Sequence, residues 1–166
     1  HNMEVPTLRD VYHAKKTIAP HIARTPLHYS SGLSEYLEAE IYLKHEEYLP
    51  LGAFKGRGGI NLLSSLTEEE KKLGVITASS GNHGQSIASA CKLFGVKAMV
   101  GLPEDANPNK VAAMRALGAE IIFHGPDFDS ARLYCESLAE EEGYLYVHPV
   151  NDPFIIAGAG TQALET

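Results

Sequence analysis

The chain has 166 residues, 44% of them hydrophobic and 21% charged, and a net charge of −7 at neutral pH. That is enough for about one domain, burying roughly 70% of the surface its unfolded form exposes. Lys110 and Arg115 are isolated and Lys71-Lys72 follows three glutamates, so no basic stripe is present and neither nucleic acid nor an anionic membrane surface is an expected partner.

The two cysteines, Cys91 and Cys135, stand alone within helical patterns and read as reduced, buried hydrophobes of a cytoplasmic protein. The eight histidines show no HExxH spacing, so no metal site is expected. No apolar run approaches the roughly 18 residues that span a bilayer. No signal-peptide pattern precedes Met3, and His1-Asn2 reads as a tag remnant.

Thr7-Leu8-Arg9-Asp10 predicts a capped helix start, followed by apolar residues to Ile22 at roughly helical spacing and limited by Pro20. Thr25-Pro26-Leu27 is extended, because a residue before proline avoids the helical region. Ser31–Ala39 predicts a short helix and Glu40–Lys44 a strand. Pro50 and Gly52 break the chain before a helix over Phe54–Leu66.

From there the pattern is regular. Strands are predicted at Val75–Ala78, Ala98–Leu102, Ile121–Phe123 and Leu145–Val147, with helices between them at Gly81–Phe94, Asn109–Leu117 and Phe128–Glu142. The strands begin near residues 75, 98, 121 and 145, a spacing of 23 or 24 that fits a strand, a helix and two short loops. Alternating strands and helices predict an α/β fold: a doubly wound, three-layer αβα arrangement on a parallel sheet of about four strands. Asp152-Pro153 starts a further helix that is still open at Thr166. The expected organisation is a small domain over 53–149, with 3–52 and 150–166 as pieces of a second α/β domain that is otherwise missing.

Two loops carry chemistry. Leu51–Gly59 sets Phe54, Lys55 and Arg57 among four glycines. It is either a turn bearing a solvated lysine or a site where Lys55 attacks an aldehyde. The positive end of a helix dipole disfavours an ammonium there, and burial beside Phe54 would disfavour it further. Both effects favour the neutral, nucleophilic amine. The second loop, Ser79-Ser80-Gly81-Asn82-His83-Gly84, joins a strand to a helix N-terminus. It is either a plain turn or an anion site, with free N–H groups and dense side-chain donors. Neither loop is a dinucleotide fingerprint or a P-loop.

Together the motifs resemble a family. Ala53-Phe54-Lys55-Gly56-Arg57-Gly58 is similar to the S-x-K-x-R-G signature of fold-type II pyridoxal-phosphate (PLP) enzymes. Ser79–Gly84 resembles the substrate-carboxylate loop of their threonine dehydratase and serine racemase branch. Ala157-Gly158-Ala159-Gly160-Thr161 resembles that branch's A-G-x-G-T. The resemblance covers residues 4–166 and implies the N-terminal half of such an enzyme. It implies that Lys55 is the Schiff-base lysine and the base for the Cα proton. Phe54 would pack on the cofactor ring and Asn82 would hydrogen-bond its phenolic oxygen. Ser79, Gly81 and His83 would hold the substrate carboxylate. Ser80 would be a second acid/base on the opposite face, and Arg57 and Gly58 would be structural. The motif's first serine is Ala53 here, and Leu51 stands where the family often has threonine or serine. The phosphate-binding loop is expected beyond residue 166.

The implied activity is a PLP-dependent lyase converting threonine or serine, small amino-acid substrates, to a 2-oxo acid and ammonia, in a homo-oligomeric parent protein. A racemase using Lys55 and Ser80 is the alternative. A non-catalytic fragment or anion-binding module is the alternative of another class.

Overall fold

The computed structural model describes residues 5–166. His1-Asn2, the expected tag remnant, lie outside the described residues, as do Met3 and Glu4.

Helix α1 spans Leu8–Ile18 and starts on a capping box between Thr7 and Asp10. Strands β1 (Leu27–Tyr29) and β2 (Tyr42–Lys44) form an antiparallel pair around α2 (Ser31–Leu37). A 3₁₀ turn at Glu46–Tyr48 follows, then α3 (Lys55–Ser65). Helix α4 (Glu68–Leu73) was not anticipated. It is short and has no buried face, so no apolar period announces it, yet Thr67 and Glu70 form a complete capping box.

The regular alternation then appears as read: β3 (Val75–Ala78), α5 (Asn82–Phe94), β4 (Ala98–Leu102), α6 (Pro108–Ala116), β5 (Glu120–Phe123), α7 (Phe128–Glu142) and β6 (Leu145–Tyr146). Helix α8 (Pro153–Gly160) and a 3₁₀ turn at Ala163–Glu165 close the chain. The four strands are parallel in the order β5-β4-β3-β6.

Strand residues feed the two faces alternately, as a period of two requires. Val75, Val100, Leu102 and Val147 meet Leu62 and Leu63 of α3, Ile87 and Cys91 of α5, and Met114 of α6. Ile76, Ala78 and Met99 meet Cys135 and Ala139 of α7 on the other face. This is the expected three-layer α/β arrangement. The two cysteines are buried and free, and burial pushes their thiols up, Cys91 to about 12 and Cys135 to about 11.

Strand order matters for the site. β3 is followed by β4 and β5 on one side, whereas β6 returns to its other side. The carboxyl ends of β3 and β6 therefore flank a topological switch point, where open parallel sheets bind ligands.

Candidate active site

Lys55 is the first residue of α3. The helix lacks a side-chain cap, because Phe54 occupies the N-cap position. Phe54 is 41% exposed and Lys55 is half-buried. Both residues line the same small cavity. The carbonyl of Lys55 accepts a hydrogen bond from buried Ser86 Oγ at 2.6 Å. That bond fixes the lysine backbone to α5.

Two residues on, Arg57 points away into the protein and is fully buried. Its Nε donates to Glu46 Oε2 at 2.8 Å and its Nη2 to Glu46 Oε1 at 2.9 Å. Nη1 donates to Glu165 Oε1 at 2.8 Å and to Thr161 Oγ1 at 3.2 Å, and Nη2 also reaches Glu165 Oε2 at 3.0 Å. All five N–H donors are thereby used. Lys44 Nζ adds 2.7 Å bonds to Glu165 Oε2 and to the Thr25 carbonyl. Two cations and two carboxylates balance. Desolvation opposes a charged Glu165, but the bonds from Arg57 and Lys44 outweigh it and hold the carboxyl down at about 2. Burial likewise opposes the guanidinium charge, and the carboxylates override it and raise the Arg57 pKa.

The same helix docks on α8. A Cβ on Gly158 would sit 2.6 Å from the Arg57 carbonyl and 2.7 Å from Gly58 Cα. Only glycine permits that approach. Asn61 Nδ2 donates to the Phe154 carbonyl at 2.8 Å. The Ala157–Thr161 motif thus works with the lysine motif as one packing unit, joined through Gly158 and Thr161.

A cavity of about 240 Å³ opens on Lys55. Phe54, His83, Val150 and Ile155 contribute to its wall, which is mostly apolar. His83 is buried, and its Nε2 lies 3.1 Å from Thr77 Oγ1. Burial and then the nearby Lys55 charge lower the imidazole to about 4, so it is neutral at pH 7. A larger cavity of about 820 Å³ lies between α1, α3 and α8, beside Asp10, His13 and Ser64, but holds none of the expected site residues.

The structure brings together Phe54, Lys55 and His83. Ser79, Ser80, Gly81 and Asn82 do not line that cavity. Ser79, Ser80 and Gly81 form the turn after β3 and Asn82 opens α5, with Ser80 and Asn82 exposed. No side chain caps α5. Among the described residues the N–H groups of Asn82, His83 and Gly84 have no acceptor, which leaves the α5 N-terminus open to an anion. Sequence reasoning missed Glu46, Glu165 and Thr77. Arg57 in the first turn of a helix was the one available signal, since a cation there calls for compensating carboxylates.

Residues 18–166 match the family described as pyridoxal-phosphate dependent enzyme. The L-threonine ammonia-lyase of Thermotoga maritima is 45% identical over 159 residues, which is 96% of this chain and 40% of that protein. The structure of maize serine racemase superimposes with a TM-score of 0.92 at 33% identity, covering 98% of this chain and 49% of that one. The T.th. threonine deaminase superimposes with a TM-score of 0.87 at 41% identity, covering 96% of this chain and 50% of that one. The chain thus spans about half the length of the proteins it matches or less.

Proposed function

Because the chain belongs to the pyridoxal-phosphate dependent enzyme family, we propose that the protein carrying it is a dehydratase that turns threonine or serine into a 2-oxo acid and ammonia. The observation that carries this reading is Lys55, placed at the start of a helix and opening onto a cavity at the switch point of a parallel sheet. A lysine amine beside a neutral imidazole and an apolar wall suits an aldehyde cofactor with a flat ring.

Bound pyridoxal phosphate supplies an aldehyde that condenses with an amine and a ring that draws electrons from Cα. Lys55 Nζ would be the amine that holds the aldehyde, and the same amine would take the proton from the substrate Cα. Ser86 ties the backbone of Lys55 to α5, and Arg57 anchors the same helix to Glu165. Phe54, from the wall of the Lys55 cavity, and Asn82, from the start of α5, would hold the ring. Ser79, with Gly81 shaping the turn, and the free N–H groups of Asn82, His83 and Gly84 would receive the substrate carboxylate, for which the open α5 N-terminus is suited.

The proposal extends to organisation. Residues 53–149 form a small domain, and 3–52 with 150–166 join a larger cofactor-binding domain. The chain alone binds the cofactor weakly and does not turn over, consistent with its covering 40% of the Thermotoga relative. The whole protein is a cytoplasmic homo-oligomer. Among the described residues no helix is long and apolar enough to cross a membrane.

The test is reduction with borohydride after incubation with PLP, followed by mass mapping of the 166-residue chain and of a full-length version. A pyridoxyl group on Lys55 of the longer protein supports the proposal, and its absence there overturns it. Strong labelling and 2-oxo acid production by the short chain would refute its inertness.

A racemase is the second reading, favoured by the likeness to maize serine racemase and by the exposure of Ser80. Serine assayed for pyruvate and for D-serine separates the two. Loss of D-serine alone in Ser80→Ala assigns that residue.

A further inference from the structure

The protons around His83 can be counted. Thr77 Oγ1 lies 2.8 Å from the Val147 carbonyl oxygen. A carbonyl has no hydrogen to give, so that contact is bonding only if the threonine hydroxyl donates. Thr77 is fully buried and has one hydroxyl hydrogen. The 3.1 Å contact between Thr77 Oγ1 and His83 Nε2 then needs a hydrogen from the other side. Only the imidazole can supply it, so Nε2 carries the proton.

The second ring nitrogen follows. At neutral pH the ring holds one proton, because burial and the charge of Lys55 keep it uncharged. Nδ1 is therefore a bare lone pair. Among the described residues Nδ1 makes no hydrogen bond, and it is not among the buried polar atoms sealed from solvent without one; the Val147 carbonyl that also bonds the ring is an acceptor, so it too calls for a ring N–H and not for the bare nitrogen. The ring lines the Lys55 cavity.

We propose that Thr77 locks His83 in its Nε2–H form, so that His83 offers a hydrogen-bond acceptor, Nδ1, to whatever enters the Lys55 cavity. The group it receives carries a proton: an ammonium or a hydroxyl. This replaces the carboxylate-donor role that the resemblance implies for His83, since a lone pair repels a carboxylate. Carboxylate binding then falls to Ser79 and the open N–H groups of α5. Thr77 is a positioning residue, and acts through the imidazole. The cavity's function as a lysine–cofactor site is taken from the reading above, but the proton count is independent of it.

The experiment is long-range ¹H–¹⁵N correlation on the chain with ¹⁵N-labelled histidine at pH 7, with His83→Gln to identify the signal. The expected pattern is protonated Nε2 and bare Nδ1. A Nδ1–H tautomer or an imidazolium overturns the proposal. In Thr77→Val the hydroxyl is gone and the shape kept, so the ring becomes a mixture of tautomers. Thr77→Ser restores the single form. An unchanged Nε2–H signal in Thr77→Val refutes Thr77 as the lock, and if that variant does not fold, the parent chain and Thr77→Ser still decide the tautomer. Failure of PLP labelling at Lys55 would sink the cofactor reading and leave this result standing.

Discussion

The helix that carries Lys55 is held on two sides, and the two sides are built on opposite principles. Toward the sheet, Leu62 and Leu63 of α3 pack on carbon from α5 and β3 in a core free of charge. Away from the sheet, Arg57 meets two carboxylates in an ion cluster drawn from residues 24–46 and 161–165. The first side gains from removing apolar area from water. The second pays desolvation and recovers it only because every donor finds an acceptor. Apolar packing therefore tolerates a near-isosteric change, whereas the cluster does not tolerate losing one member.

The largest break follows from that asymmetry. Arg57→Leu leaves Glu46 and Glu165 buried without their guanidinium, which costs about 3–5 kcal/mol. Domains carry only about 5–15 kcal/mol in all. A urea midpoint should fall by a large fraction or the chain should fail to fold. Leu63→Met, a swap on the apolar side, should cost less than about 1.5 kcal/mol. Equal losses from the two changes would dissolve the contrast.

Acid tests the cluster and the His83 site in separate windows. His83 titrates near 4 in the folded chain against an ordinary 6.5. The unfolded chain binds the proton first, so stability falls as pH drops from about 6.5 toward 4. Glu165 is held at about 2 against 4.5. Its contribution is complete above 4.5 and is lost as pH falls toward 2. Each shift corresponds to roughly 3 kcal/mol by linkage. Melting temperatures in citrate and phosphate buffers should show the upper step vanish in His83→Gln and the lower step shrink in Glu165→Gln.

A smaller effect sharpens where the two sides meet. Gly158→Ala drives a methyl against the Arg57 carbonyl at 2.6 Å. Backbone cannot move aside cheaply there, so the cost is about 1–3 kcal/mol. Gly32→Ala in α2 meets nothing within 4 Å, and it should be neutral or gain up to roughly 1 kcal/mol from helix propensity. Denaturation of both variants checks the difference.

The same contrast explains what the sequence made legible. Periods of two and 3.6 place β3 to β6 and α5 to α7 within a residue or so, because each apolar position meets partners set by its own element. The Lys55 and Ser79–His83 loops were legible from their glycines and donors. The ion cluster was not, because Thr25, Glu46, Arg57 and Glu165 are brought together only by the fold and no local pattern pairs them. Helix α4 escaped because its six residues bury nothing. The tautomer of His83 was not legible, because it turns on the Thr77–Val147 contact, which only the fold brings to the ring.

The smallest effect probes Lys55 itself. Ser86→Ala removes the hydroxyl that bonds the Lys55 carbonyl at 2.6 Å. That carbonyl also accepts the ordinary helical bond four residues on, so it is not left bare. A typical hydrogen bond contributes about 0.5–1.5 kcal/mol net, and alanine recovers part of this as the better helix former. Stability should therefore drop by less than about 1 kcal/mol. Yet the bond is the direct tether between α5 and the backbone of Lys55. If the tether sets the reach of the amine, Ser86→Ala slows borohydride-trapped labelling of Lys55 several-fold in the full-length protein, while labelling of Lys97 stays the same. A variant with unchanged Lys55 labelling would mean that Arg57 and the apolar face suffice to hold the helix start.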